Sequence, residues 1–279
     1  MAEVKCKSQI AILMATYNGE KYLREQIDSL IMQTYKDWHL YVHDDGSKDT
    51  TVSIVMEYVK KYPDKITLMD YPSQGGACKN FLSMLERVEA SYYMFCDQDD
   101  VWLTEKTEKT FERMQILERQ FHEQPIIVHS DLILVDESLH TLDTSFVRNQ
   151  HIKIEAIKNF EDYAATNTAT GCTMLFNQQA RQCIKRPYYK AIMHDSWICL
   201  SVISQHGIVD FLYEPLLKYR QHSGNTLGAC DMNQQTLMYK LKHIQQQINH
   251  NIRHYQEMNA IRPLSVLDFL KAKLRYKNY

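Results

Sequence analysis

The chain has 279 residues and a formal charge of −2, so no net field gathers nucleic acid and no nucleic-acid partner is expected. With 44% hydrophobic and 24% charged residues it is neither intrinsically disordered, collagen-like nor a small disulfide scaffold. No stretch approaches the ~18 consecutive apolar residues of a spanning helix, and the N-terminal apolar run is too short for a secretory signal.

The first half alternates apolar runs with amphipathic stretches. Residues 9–15 predict a buried strand that stops at the turn Thr16-Tyr17-Asn18-Gly19. Ile27, Leu30 and Ile31 recur at helical spacing and predict a helix over 20–33. A second strand over 38–43 stops at Asp44-Asp45-Gly46-Ser47, a strong turn signal. Val52, Ile54, Val55 and Val59 suit a helix face, and 66–69 a third strand. Phe81, Leu82, Leu85 and Val88 mark a third helix, and a fourth strand over 92–96 ends at Asp97-Gln98-Asp99-Asp100. This βα rhythm predicts an α/β fold, a mostly parallel sheet with helices on both faces. Ligands bind beyond the carboxyl ends of such strands, where Thr16–Asn18, Asp44–Asp45 and Asp97–Asp100 fall.

Beyond this the pattern is less regular. A charged helix is expected over 105–121, strands over 126–129, 132–135 and 172–176, and a helix over 195–204. Two short strands, 208–213 and 216–219, flank Glu214-Pro215, and residues 137–170 carry no clear period. From Met232 the pattern is helical. The seven cysteines are scattered without a C-x-x-C pair, which predicts reduced, buried thiols in a cytoplasmic protein.

The residue types narrow the chemistry. Three carboxylates within Asp97–Asp100 repel one another, and a divalent cation, Mg²⁺ or Mn²⁺, would neutralise them; a solvated acidic turn is the competing reading. Asp44 and Asp45 either read a pyrimidine N–H or only shape the turn before a helix. A P-loop and a G-x-G-x-x-G fingerprint are both absent.

Taken in order, Ala15-Thr16-Tyr17-Asn18-Gly19, Asp44-Asp45-Gly46-Ser47-Lys48-Asp49, Lys79-Asn80-Phe81 and Asp97-Gln98-Asp99-Asp100-Val101-Trp102 resemble a family 2 glycosyltransferase. Thr170-Gly171-Cys172-Thr173 with Met193-His194-Asp195, and Tyr219-Arg220-Gln221-His222 with Asn225-Thr226, extend the resemblance over 9–228. The nearest resemblance is to bacterial rhamnosyltransferases of cell-surface polysaccharide synthesis. It implies a GT-A catalytic domain over 1–228, followed by a helical extension over 229–279.

The resemblance also implies roles. Thr16, Tyr17 and Asn18 would lie against the nucleoside, with Gly171 near the sugar. Asp44 and Asp45 would read the base, and Lys79 and Asn80 would help hold the nucleotide. Asp97 and Asp99 would form the D-x-D pair, with Asp99 the direct metal ligand and His222 a further one. Asp195 would be the general base of an inverting, single-displacement transfer. Each has a plainer alternative: Tyr17 packing on the sheet edge, Asn80 capping its helix, His222 on a surface loop, Asp195 favoured by a helix N-terminus. The processive motif Gln-x-x-Arg-Trp is absent, so one sugar per encounter is expected. A nucleotide-diphosphate sugar donor and a saccharide or lipid-linked acceptor follow from the same resemblance, with dTDP-rhamnose the favoured donor and a UDP-sugar the alternative. A non-catalytic sugar-binding protein is a further alternative, and it would need no base.

From Lys240 onward eight basic residues face two acids, with Leu267, Phe269, Leu270 and Leu274 among them. That segment either lies on an anionic membrane surface or packs on the domain or on a second subunit of a homo-oligomer.

Overall fold

The computed structural model describes residues 4–5, 9–157, 159–166, 168–186, 188–222 and 244–277. Asn225, Thr226, Lys240 and Lys242 lie outside the described residues. The strands are β1 (Val4–Lys5), β2 (Ile10–Thr16), β3 (Trp38–Asp44), β4 (Ile66–Leu68), β5 (Val88–Glu89), β6 (Tyr92–Cys96), β7 (Val101–Trp102), β8 (Ile126–Val135), β9 (Thr141–Asp143), β10 (Met174–Asn177) and β11 (Ile208–Arg220). The helices are α1 (Leu23–Ile31), α2 (Thr51–Lys61), α3 (Ala77–Arg87), α4 (Lys106–Gln120), α5 (Phe146–Asn149), α6 (Phe160–Ala165), α7 (Gln178–Cys183), α8 (His194–Ser204), α9 (Ile244–Ile261) and α10 (Val266–Lys277).

The large sheet runs β4-β3-β2-β6-β10-β8-β11-β7, with β9 beside β8. The first four strands are parallel. β10 is antiparallel to both β6 and β8, which turns the second half into a mixed sheet. Strand β2 shows why the core has two sides. Ile10, Ile12 and Met14 enter one buried cluster, while Ala11 and Leu13 enter another, as a period of two demands of a strand covered on both faces. Helices α1, α2 and α4 cover the first side, and α3, α7 and α8 the second.

Three expectations change. Residues 126–129 and 132–135 are one strand, as are 208–213 and 216–219. The pairs Ser130-Asp131 and Glu214-Pro215 imitate turns, but β8 and β11 pair in parallel across them, and register shifts on either side of Pro215 absorb its missing N–H. The strand expected over 172–176 opens as a 3₁₀ turn at Gly171–Thr173 and pairs only from Met174. The segment 137–170 contains β9, α5 and α6, too short to show a period.

A third cluster joins Phe160 and Ala164 of α6 and Trp197 and Leu200 of α8 to Met258 and Ile261 of α9, Leu264, and Phe269 of α10. The C-terminal helices therefore share a core with α8. Phe269 is buried there and does not belong to the exposed apolar row of α10, a correction to the sequence expectation. No helix among the described residues is long and apolar enough to cross a membrane.

Candidate active site

The carboxyl ends of β2, β3 and β6 lie side by side, Thr16 opposite Asp44 and Met14 opposite Cys96. The three polar segments that follow these strands meet at one edge of the sheet. Thr16 is buried and its hydroxyl donates to Asp44 Oδ2. Asn18 takes a left-handed φ of 47°, which asparagine tolerates, and its Oδ1 accepts the Lys48 N–H. Tyr17 is 55% exposed, so its ring does not pack on the sheet edge.

The two aspartates after β3 hold loops. Asp44 accepts N–H groups from Gly46 and Ser47 and the Ser47 hydroxyl. Asp45 accepts the Ser73 hydroxyl and the N–H groups of Gln74, Gly75 and Gly76. Burial pushes the Asp45 carboxyl up, but these donors outweigh it and hold it below the usual carboxylate range. Lys79 is exposed on α3. Asn80 does not cap that helix, which starts at Ala77. Its amide pairs with the ring and carbonyl of His43, which stacks on Tyr71.

The acidic loop after β6 divides into an open and an inner side. On the open side His222 Nε2 lies 2.7 Å from Asp99 Oδ2, and both side chains keep some exposure. His222 also packs on the Tyr22 ring at 5.0 Å, so it is not a free surface histidine. On the inner side Asp100 is fully buried, accepts the Arg220 N–H at Oδ1 and has no partner at Oδ2. Ligand atoms of Asp97, Asp100 and Cys172 lie within 4.8 Å of one another. Burial and the charges of Asp99 and Asp195 push Asp97 up to about 7. Asp97, Asp99 and Asp195 thus form one crowded negative region, the condition that a divalent cation relieves. The hard oxygen donors of Asp97 and Asp99, with the His222 imidazole, fit Mg²⁺ or Mn²⁺ better than does the soft sulfur of Cys172, a thiol that burial and nearby carboxylates keep protonated.

Asp195 stands in the first turn of α8 and is 6% exposed. The Gly171 N–H donates to its Oδ2 at 3.1 Å, so the two segments named in the sequence are joined directly. A Cβ on Gly171 would stand 2.4 Å from His194 Nε2. That ring is fixed between Phe81, stacked at 4.3 Å, and Phe95, edge-on at 4.7 Å. Only glycine fits here.

Two further residues stand in the quoted motifs without an assigned role in the site. Gln98 bridges the acidic loop to the first turn, accepting the Tyr17 N–H and donating to the Tyr17 carbonyl. A Cβ on Gly19 would stand 2.2 Å from Gln98 Oε1, so Gly19 was the signal for that close approach. Arg220 is buried, donates to the carbonyls of Asp99 and Glu137 and to the Glu25 carboxylate, and lies 4.4 Å over the Tyr22 ring. The motif Tyr219-Arg220-Gln221-His222 marks its place, and its acidic partner, Glu25, lies 195 residues away in the chain.

A mixed sheet with its polar strand ends, an aspartate cluster and a helix-borne carboxylate at one edge is the GT-A arrangement. The pattern of the Glycosyl transferase family 2 matches residues 11–184, and the chain belongs to that family. It is similar to the dTDP-rhamnosyl transferase RfbG of Shigella flexneri, 27% identical over 228 residues, 77% of this chain and 74% of that one. It is also 32% identical over 133 residues to an uncharacterized glycosyltransferase, RP339, of Rickettsia prowazekii, 48% of this chain and 39% of that protein. Among solved structures, the mannosyltransferase PcManGT from Pyrobaculum calidifontis in complex with GDP-Man and Mn²⁺ superimposes with a TM-score of 0.64 at 16% identity, covering 98% of this chain and 69% of that one. S. aureus TarS 1-349 in complex with UDP-GlcNAc gives 0.55 at 16% identity, covering 95% and 79%.

Proposed function

We propose that the protein is an inverting, metal-dependent, non-processive glycosyltransferase. It moves one L-rhamnose from dTDP-rhamnose to a saccharide or lipid-linked acceptor in surface polysaccharide assembly, at the cytoplasmic face of the membrane. The observation that carries the reaction class is the meeting of Asp97, Asp99 and His222 with Asp195 at the carboxyl edge of the parallel strands. The likeness to RfbG supports the choice of donor.

The reaction displaces a nucleoside diphosphate from an anomeric carbon. The acceptor oxygen forms a bond to that carbon as the carbon–oxygen bond to the diphosphate breaks, and the bonding pair leaves on the phosphate oxygen. Asp195 takes the proton of the acceptor hydroxyl as the new bond forms. Asp99, with Asp97 and His222, would hold a divalent cation that supplies Lewis acidity toward the diphosphate. Gly171 orients Asp195 through its N–H. Thr16 to Asn18 and the loops pinned by Asp44 and Asp45 form the nucleoside side of the site. The acceptor oxygen attacks opposite the departing diphosphate in a single displacement, so the configuration inverts, and one carboxylate moves the proton where glycoside hydrolysis uses a pair.

The test is nucleotide release from dTDP-rhamnose, UDP-glucose, UDP-galactose and UDP-N-acetylglucosamine, with a crude lipid extract as acceptor. Release from dTDP-rhamnose is expected with Mn²⁺, and its loss with EDTA. Release from a UDP-sugar instead keeps the reaction class and discards rhamnose. Tight donor binding with no release on any acceptor overturns the enzymatic reading.

A membrane-surface role for the extension has its own observation. Val266, Leu267, Leu270 and Leu274 of α10 are 54, 61, 50 and 59% exposed, on the side away from buried Phe269 and Ala272. Lys271 and Arg275 are exposed beside them. An apolar row flanked by cations fits an anionic lipid surface. In sedimentation with phosphatidylglycerol vesicles, the triple variant Leu267→Ser, Leu270→Ser, Leu274→Ser should lose most of the binding of the parent. Equal sedimentation of the two proteins removes this role.

A further inference from the structure

The carboxylate of Glu257 belongs to none of the segments so far assigned to the reaction. It lies on α9, is 1% exposed, and accepts the Ile192 N–H at 2.9 Å, with the Met193 N–H also drawing its pKa down. Those two residues lead directly into α8. Met193 is the cap of that helix and supplies no side-chain acceptor, so a carboxylate from a distant helix fixes the point where α8 begins. Asp195 follows two residues later and is held from the other side by the Gly171 N–H.

We propose that Glu257 is a positioning residue for sugar transfer: it clamps the lead-in to α8 and sets where Asp195 stands. The proposal rests on reading Asp195 as the base. The ionisable groups acting electrostatically on Glu257 or on its immediate surroundings are Asp195 on α8, and Cys78 on α3 with Lys79 beside it. Burial, with the Asp195 charge adding to it, pushes Glu257 up to about 7 against the pull of the two N–H groups. The Cys78 thiol is pushed up to about 12 by burial and by the same two carboxylates, so it stays neutral.

The linkage has a definite sign. A carboxyl whose folded pKa is raised binds its proton more tightly folded than unfolded. Stability from this group is full below about 4.5, its ordinary value, and falls as pH rises through about 7. Replacing Glu257 by glutamine keeps an acceptor for the N–H groups and removes the charge. Replacing it by alanine removes both.

The experiment uses the full chain and whichever donor the wild type turns over. Glu257→Gln should lower kcat no more than about threefold, leave the donor KM unchanged and leave the acid limb of the pH–rate profile in place, since Glu257 is itself neutral well below about 7. Glu257→Ala should lower kcat tenfold or more at unchanged donor KM. It should also speed amide exchange in a peptide spanning 190–196, whereas Glu257→Gln should not. Between pH 5 and 7.5 the fall in Tm of the wild type should flatten in Glu257→Gln, a readout independent of any donor. Asp195→Asn is run beside them. If it is inactive while both Glu257 variants keep the wild-type profile and kcat, Glu257 does not position the base. If Asp195→Asn itself transfers at the wild-type rate, the base assignment fails, whatever Glu257 does.

Discussion

Asp195→Asn should fold with a wild-type Tm, bind the donor with wild-type affinity and lose transfer by about 10²–10⁴-fold, the range for removing a positioned proton acceptor. The side chain is nearly isosteric, and its carbonyl can still accept the Gly171 N–H that Oδ2 accepts at 3.1 Å. The fold should not notice the change, because α8 is anchored by Trp197, Ile198, Leu200 and Val202 in two buried clusters. What disappears is a basic oxygen near the reacting hydroxyl. The decisive comparison is donor affinity by calorimetry against nucleotide release with acceptor. A variant that binds donor and transfers at more than a tenth of the wild-type rate would remove Asp195 from the mechanism.

Arg220 carries the second large effect, on stability and on donor binding together. Its guanidinium fastens three separate segments: Asp99 in the acidic loop, Glu137 after β8 and Glu25 on α1. Its N–H reaches Asp100. Arg220→Ala should cost about 3–5 kcal/mol, the range for breaking a buried pair, toward the lower end because Glu25 is 56% exposed and recovers hydration. Arg220→Lys should recover little, since a single ammonium cannot present a planar fork to acceptors on three segments. With the Asp99 carbonyl released, Mn²⁺-dependent donor affinity should fall at least tenfold. Urea unfolding and calorimetry read the two effects separately. A lysine variant with the wild-type midpoint and donor affinity would show that the fork holds nothing in place.

The contrast between these residues explains what a sequence discloses. Thr16, Asp44 and Asp97 were legible because each follows an apolar run, and parallel strands must gather their carboxyl ends at one edge. Asp195 was legible through its place in the order of motifs. Arg220, Gln98 and Glu257 act on residues far away in the chain, through contacts that leave no periodic trace. Gly19 and Gly171 were visible as letters, but only the positions of Gln98 and His194 reveal why no side chain fits there. The breaks expected inside β8 and β11 arose because a polar pair or a proline marks a turn in an isolated segment. Pairing with a neighbouring strand overrode that local preference.

The cluster shared by α6, α8, α9 and α10 also has a bearing on synthesis. Trp197 and Leu200 leave the ribosome roughly sixty to seventy residues before Met258, Ile261 and Phe269, which cover them. At ~5–20 residues per second, that interval is several seconds, during which the apolar side of the helix bearing Asp195 is covered only by α6. The half of the sheet built from β2, β3 and β6 can mature early, while Asp195 waits for a late part of the chain. A nascent chain stalled in that interval would present a sticky indole surface, a substrate for chaperones before it is a catalyst.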